Sequence, residues 1–208
     1  MKHPPAELRR YAELLAGAHA SVTSIRDPAE LWEVHIDDAL TAVPVIESLA
    51  AGELVDVGSG GGSPAIPLGI VLQIPVTMVE SVARKAAFLR DTCAELGVDA
   101  EVVRERAEEF GRDTGRDRYP LATARALAPP AVAAELALPL VRTGGHLVLW
   151  TGELDREALD RAAAELAAKV VDERLTGDRR RLLVLRKLAP TPGRFPRRTG
   201  VAARRPLA

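Results

Sequence analysis

The stretch Val55-Asp56-Val57-Gly58-Ser59-Gly60-Gly61-Gly62-Ser63-Pro64 holds the residues best suited to do chemistry. Its four glycines follow a short apolar run and precede a helix-forming segment, the position where an open α/β sheet takes a nucleotide-like ligand. Glycine lets the backbone turn sharply and approach a ligand with no Cβ in the way. Glu80 closes the next apolar run, 22 residues after Gly58, where a carboxylate accepts hydrogen bonds from both ribose hydroxyls. Two cofactor classes compete for this arrangement. Gly60-Gly61-Gly62-Ser63-Pro64-Ala65 matches the spacing of a dinucleotide-binding turn and so suits a nicotinamide enzyme. Asp56 weighs against that, because an acid beside the loop repels a pyrophosphate and attracts the sulfonium and ammonium of S-adenosylmethionine. Acid and glycines together favour the methyl donor, with Asp56 serving either the loop itself or the methionine amine.

A loop of this kind needs a parallel sheet to hold it, and the pattern from Glu53 onward supplies one. Strand-length apolar runs at Leu54 to Val57, Val76 to Glu80, Ala100 to Arg104, Leu121 to Ala124, Gly145 to Thr151, Val170 to Leu175 and Arg181 to Lys187 alternate with amphipathic stretches. The intervening helices are expected at about 64–72, 82–96, 129–141 and 153–169, with Gly97 and Gly144-Gly145 placed as stops. Thr176-Gly177-Asp178 predicts a turn joining the last two strands into an antiparallel hairpin. Ahead of the sheet, Leu8, Tyr11, Leu14, Leu15 and Ala18 recur at helical spacing. Asp27-Pro28-Ala29-Glu30 then opens a second helix running through Leu31, Val34 and Leu40 toward Ile46, with Pro44 as a break or kink. His35 and Asp38 lie three apart on one face of it and are read as a helix-packing pair. The expected organisation is a helical extension over 1–50, a cofactor-binding domain over 51–190 and a basic tail over 191–208.

Bulk properties narrow the function. At 208 residues and 47% hydrophobic content the chain suits one domain with a small extension. The formal charge of -1 argues against a generally basic nucleic-acid binder, yet residues 187–208 carry Lys187, Arg194, Arg197, Arg198, Arg204 and Arg205 and no acid. Cys93 is the only cysteine, which excludes a disulfide framework or a thiolate metal cluster and leaves a buried core thiol. No His/Cys/Asp cluster has metal-ligand spacing, so no metal is expected. Without a leader-like start or an 18-residue apolar run, a cytoplasmic protein with no membrane partner is expected.

Several segments taken together resemble the 16S ribosomal RNA (guanine-N7)-methyltransferases, also called glucose-inhibited division protein B. They are Asp56 through Leu68, Val79-Glu80-Ser81-Val82-Ala83-Arg84-Lys85-Ala86-Ala87-Phe88-Leu89-Arg90, Arg106-Ala107-Glu108-Glu109 and Thr123-Ala124-Arg125-Ala126. The end of the chain, Thr191 through Gly200 followed by Arg204-Arg205-Pro206-Leu207, is similar to that family's tail. The resemblance covers nearly the whole chain from Tyr11 and implies a class I S-adenosylmethionine-dependent methyltransferase, a Rossmann-like, seven-stranded, mostly parallel sheet with a short N-terminal helical extension. It implies Gly58 and Ser63 at the methionine end of the cofactor, with Gly60 in the same loop, and Glu80 at the ribose. Ala107 and Glu108 would meet the adenine, and Arg125 would stand at the active-site mouth. A glutamate accepts from the exocyclic adenine amine, and a backbone N–H at Ala107 donates to a ring nitrogen.

The implied partner is 16S ribosomal RNA or the small ribosomal subunit, bound by a monomer, with Arg194, Arg197, Arg198, Arg204 and Arg205 as candidate RNA contacts. The chain departs from the family pattern at 17–23, at Val34 and at Thr151, three places near the expected site. Guanine N7 carries an in-plane lone pair and no proton, so it attacks a sulfonium methyl without a general base, and alignment matters most. The residues agree. Where amino-group methylation uses Asp/Asn-Pro-Pro-aromatic, this chain has Leu127-Ala128-Pro129-Pro130, and it has no Pro-Cys pair for attack on a pyrimidine. A small-molecule methyltransferase, a nicotinamide-dependent enzyme and a non-catalytic ribosomal RNA-binding or assembly protein are the alternatives on the same sheet.

Overall fold

A computed structural model describes residues 4–177 and 180–207. Its centre is one seven-stranded sheet: β1 (Leu54–Val57), β2 (Val76–Val79), β3 (Ala100–Val103), β4 (Tyr119–Arg125), β5 (Val141–Thr151), β6 (Ala168–Leu175) and β7 (Arg181–Lys187). The spatial order is β3-β2-β1-β4-β5-β7-β6, parallel except that β7 runs antiparallel to both β5 and β6. The order reverses between β1 and β4, which opens a crevice at their carboxyl ends, and the glycine loop leaves β1 there.

Strand alternation decides what each face carries. In β1, Leu54 packs into a core on one side of the sheet while Val55 and Val57 pack into the core on the other. Asp56 therefore points to the same side as Leu54. Thr123 of β4 shares that side and is the register partner of Asp56, which brings the two side chains together. Layers of helices cover the two cores: α1 (Ala6–Gly17), α2 (Pro28–Trp32), α3 (Asp38–Leu40), α4 (Val43–Leu49), α5 (Ala65–Leu72) and α6 (Ala83–Leu96) on the Leu54 side. On the opposite side are α7 (Ala107–Phe110), α8 (Pro130–Ala137) and α9 (Arg156–Glu165), followed at the end of the chain by α10 (Val201–Arg204). No helix among the described residues is long and apolar enough to cross a membrane.

Several expected boundaries shift. The second helix is four pieces rather than one kinked rod. Asp27 caps α2 by accepting from Ala29 and Glu30 N–H, a π turn spans Glu33–Asp37, and Pro44 sits in the first turn of α4, where its missing N–H is harmless. The π turn frees backbone carbonyls, and those of Val34 and His35 accept from Arg125 and Ser63 instead. The helix expected to reach residue 141 ends at Ala137, because Pro139 tightens Leu138–Leu140 into a 3₁₀ turn and β5 begins at Val141. The helix expected over 153–169 spans only Arg156–Glu165, with Ala167 at φ 55° turning the chain directly into β6. Thr176 and Gly177 do precede β7 in an antiparallel hairpin, while Asp178 lies outside the described residues.

Candidate cofactor and acceptor clefts

Beyond β1 the loop is tied to the neighbouring strand before any ligand is considered. Gly58 and Ser59 N–H groups both donate to Val79 O, at 2.8 and 3.3 Å, and Ser59 Oγ donates back to Asp56 O at 3.1 Å. Gly60 sits at φ 57° and donates its N–H to Glu80 Oε2 at 3.0 Å, while Glu80 Oε1 accepts from Val82 N–H at 2.7 Å. Each carboxylate oxygen has two acceptor sites, so Glu80 holds the loop and retains lone pairs for a ribose. Gly58 is also at positive φ, and a Cβ there would stand 2.5 Å from Leu127 Cδ1, closing the gap between loop and β4.

Gly58, Glu80 and Leu127 border a cleft of about 240 Å³ between the ends of β1, β2 and β4, while Ser59 and Gly60 stand behind its wall. Val57, Gly58, Glu80 and Ser81 form one wall, and Ala107, Glu108 and Leu127 form another. Ala107 opens α7, where an N–H has no partner within the helix. Glu108 is buried beside it, with Oε1 accepting from Gly200 N–H at 2.8 Å.

Asp56 is 1% exposed, and Oδ1 accepts from Thr123 Oγ1 at 2.7 Å, whereas Oδ2 is buried with no partner among the described residues. Burial pushes the carboxyl up to about 6, although the hydrogen bonds and Arg125 oppose the shift. An orphaned carboxylate oxygen at the loop suits a cationic group, as the donor set of S-adenosylmethionine requires and a pyrophosphate does not. Ser63 is placed differently from the other loop residues: its Oγ donates to His35 O at 2.7 Å, joining the loop to the extension. The extension also covers the loop from outside. Tyr11 Oη donates to Gly61 O at 2.9 Å, and a Cβ on Gly61 would lie 3.2 Å from Leu15 and 3.3 Å from Val22. Sequence periodicity marks Tyr11 only as a core residue, so this contact had no signal in the sequence.

Arg125 ends β4 within the same network. Its Nη1 donates to Val34 O and, at 2.9 Å, to Asp38 Oδ2, and its Nη2 lies 3.2 Å from His35 Nδ1. A guanidinium donates only, so Nδ1 is the acceptor and the Nε2–H of a neutral imidazole donates to Thr23 Oγ1 at 3.2 Å. Burial, reinforced by Arg125, lowers His35 to about 4 and keeps it neutral. Arg125 Nε is buried without a partner among the described residues. Asp38 Oδ1 pairs at 3.1 Å with Arg180, a residue that sequence reasoning missed because its own turn gives it no special character. Asp38, Arg125, Ala126, Trp150, Arg180 and Arg181 line a second cleft of about 210 Å³. Ala126, held at φ 52°, lines both clefts, so the two meet across a single residue.

Comparison with known proteins decides the family. The model of the family described as "rRNA small subunit methyltransferase G" matches residues 5–181. A Rubrobacter xylanophilus protein named ribosomal RNA small subunit methyltransferase G is 41% identical, covering 96% of this chain and 82% of its own length. The protein of the same name from Chloroflexus aggregans is 38% identical, covering 99% and 91%. This chain belongs to the ribosomal RNA small subunit methyltransferase G family. Solved structures agree on the class I methyltransferase fold. The Burkholderia thailandensis 1,6-didemethyltoxoflavin-N1-methyltransferase, with bound S-adenosylhomocysteine, superposes with TM-score 0.57 at 16% identity, covering 90% of this chain and 93% of that one. The cyclase SpnF gives 0.60 at 15% identity, covering 73% and 81%.

In this methyltransferase G family member the expected basic tail folds onto the domain. Phe195 is 2% exposed in the main core, and Leu207 packs against the same cluster. Arg116 donates to Phe195 O and Thr191 O, each at 2.7 Å. Lys187, fully buried, anchors the start of the strap through Thr191 Oγ1 at 2.6 Å, Leu138 O at 2.8 Å and Asp117 at 3.2 Å. The five arginines expected to contact RNA therefore separate. Arg197 forms a two-point ion pair with Glu135, which is 2% exposed, and Arg194 reaches Glu165 at 3.2 Å on the surface. Arg198, Arg204 and Arg205 are exposed.

Proposed function

We propose that this chain transfers the methyl group of S-adenosylmethionine to N7 of a guanine in 16S ribosomal RNA, using the cleft at Glu80 for the cofactor and the cleft at Arg125 for the base. Family membership makes it an S-adenosylmethionine-dependent methyltransferase of small-subunit ribosomal RNA. The acceptor atom and the residue roles are what the geometry adds. The observation that carries the N7 reading is the state of Asp38. It is the carboxylate lining the acceptor cleft, and both its oxygens are paired, with Arg125 at 2.9 Å and with Arg180 at 3.1 Å. Both oxygens are thus committed to arginines and neither is aimed at the base, which suits a nucleophile with no proton to lose.

When bound, S-adenosylmethionine supplies an electrophilic methyl on a sulfonium. This chain's residues would align the N7 lone pair with that methyl. No proton moves. Asp56 Oδ2 would hold the methionine ammonium, Glu80 the ribose hydroxyls, Ala107 N–H a ring nitrogen and Glu108 Oε2 the adenine amine. Gly58 and Gly60 keep side chains out of that space. Arg125 aligns the acceptor through the unpartnered Nε–H, which suits guanine O6, and through its grip on the extension. Alignment of this kind is the main catalytic resource for a reaction that needs no base. The enzyme acts as a cytoplasmic monomer on this reading. Mapping 7-methylguanine in 16S ribosomal RNA from cells with and without the gene tests it: one guanine should lose its methyl group, and an unchanged map would overturn the assignment.

A further inference from the structure

The two walls of the adenine half of the cofactor cleft are held by the end of the chain. Gly200 N–H donates to Glu108 Oε1 at 2.8 Å, and Thr199 Oγ1 donates to Glu109 Oε1 at 3.1 Å, both on α7. Arg112, just beyond α7, donates to Arg197 O at 2.8 Å, and a Cβ on Gly111 would stand 3.2 Å from Pro196 Cγ. On the other wall, Arg197 grips Glu135 of α8, next to the cleft-lining Leu136. From this we propose that the segment from Thr199 to the end of the chain is a positioning strap for adenine recognition. It acts by fixing one oxygen of Glu108 so that the other is presented to the exocyclic amine.

The argument is one of carboxylate geometry. Glu108 is 7% exposed and is not ion-paired in the described structure, so the Gly200 N–H is the donor that satisfies one of its oxygens in the cleft wall. With one oxygen fixed by Gly200, the carboxylate plane is set and the second oxygen meets an incoming donor without first losing rotational freedom. Gly200 adopts φ 77°, a conformation that L side chains rarely take, and this turn is what aims its N–H back at α7. The strap is thus a positioning element acting through Glu108, and it deepens the cofactor reading above.

A merely structural strap would weaken every ligand alike, so the test compares two ligands that differ only at the amine. S-adenosylhomocysteine and its deamino analogue, which carries hydrogen on C6 and keeps ring N1 as an acceptor, are titrated into the full chain and into a chain ending at Arg198, which keeps Phe195 and Arg197. The full chain should prefer the adenosyl ligand by roughly tenfold or more. Truncation should erase most of that preference while leaving the affinity for the deamino analogue nearly unchanged. Gly200→Val in the full-length chain should move the ratio the same way, and it reads the effect if the shortened chain fails to fold. In a Glu108→Ala background, truncation should change the ratio no further. An unchanged preference in both variants, or equal loss of both ligands, overturns the strap. A full chain that binds neither ligand sinks the cofactor reading and the strap with it.

Discussion

Arg125 and Asp38 stand 87 residues apart in sequence and 2.9 Å apart in space, and their side chains are 13% and 8% exposed. This ion pair locks the end of β4 to the helical extension, and the π turn reinforces it by offering Val34 O to the same guanidinium. Breaking a mostly buried pair leaves the partner charge with less compensation and costs roughly 3 kcal/mol. Arg125→Ala is therefore expected to lower thermal stability and to cut turnover on RNA far more than cofactor affinity. Equal losses of turnover and affinity, measured by methyl transfer and calorimetry, would place Arg125 at the cofactor instead.

Glu80→Ala removes the acceptor for Gly60 N–H as well as the proposed ribose contact, so cofactor affinity should fall roughly tenfold to a hundredfold. Gly60→Val should do the same for a conformational reason, since φ 57° suits a β-branched residue poorly. Calorimetric titration with S-adenosylhomocysteine reads both. Wild-type affinity in either variant would separate the loop from the cofactor.

The loop and Glu80 were legible because their chemistry is local: a strand, a turn and a carboxylate closing the next strand. The sheet was legible for the same reason, through runs such as Leu54 to Val57 whose length and burial leave little choice. Arg180 and Tyr11 were not, since each acts across more than 40 residues of sequence on a group that gives no local sign of needing it. The five tail arginines read alike in the sequence, since only the folded chain brings Glu135 and Glu165 beside Arg197 and Arg194.

Titration separates cofactor binding from stability. Burial raises Asp56 to about 6, so the folded protein takes up a proton as pH falls through 6 while the unfolded chain waits until about 3.9. That contribution favours the fold at low pH and is lost as pH rises through 6. His35, lowered to about 4, works oppositely: its contribution is lost as pH falls from about 6.5 toward 4. The two nearly cancel in the apo protein, so its melting temperature should vary little from these groups over that window. Cofactor affinity has no such cancellation, because a protonated Asp56 cannot pair with an ammonium. Affinity should drop as pH falls below 6, and Asp56→Asn should bind weakly with a flat profile. A wild-type profile that is itself flat between pH 5 and 7 would remove Asp56 from the cofactor.

Lys187 is fully buried, and burial lowers its pKa, whereas Asp117 is held below the usual carboxylate range by Thr191 and Lys187 despite the opposing effect of burial. Asp117→Ala would leave the ammonium with neutral partners only. A loss of about 3 kcal/mol in denaturant unfolding is expected. Since the depressed carboxyl contributes stability above about pH 3.9 that fades as pH falls, the variant and wild type should converge in acid. A constant difference down to pH 2 would contradict the pair.

The strap arginines give the last test, because the fold divides them into two kinds. Arg197 is 24% exposed in its side chain, and its partner Glu135 is 2% exposed, so Arg197→Ala leaves a buried carboxylate unpaired. That variant should melt markedly lower, and its RNA affinity should follow stability rather than salt. Arg198, Arg204 and Arg205 are exposed, and changing all three to alanine should leave the melting temperature close to wild type. If these three contact phosphates, the salt dependence of RNA binding should flatten by about 0.7 for each contact removed, roughly 2 in all for single-stranded RNA. Arg204 Nε donates to Gly200 O at 3.0 Å, so cofactor affinity is read in the Arg198→Ala, Arg205→Ala pair, where it should be unchanged because Gly200 N–H and Thr199 Oγ1 remain on α7. A salt slope equal to wild type would mean that the strap serves the cofactor cleft alone, and that RNA is gripped elsewhere, with Arg180 and Arg181 at the rim of the acceptor cleft the next residues to change.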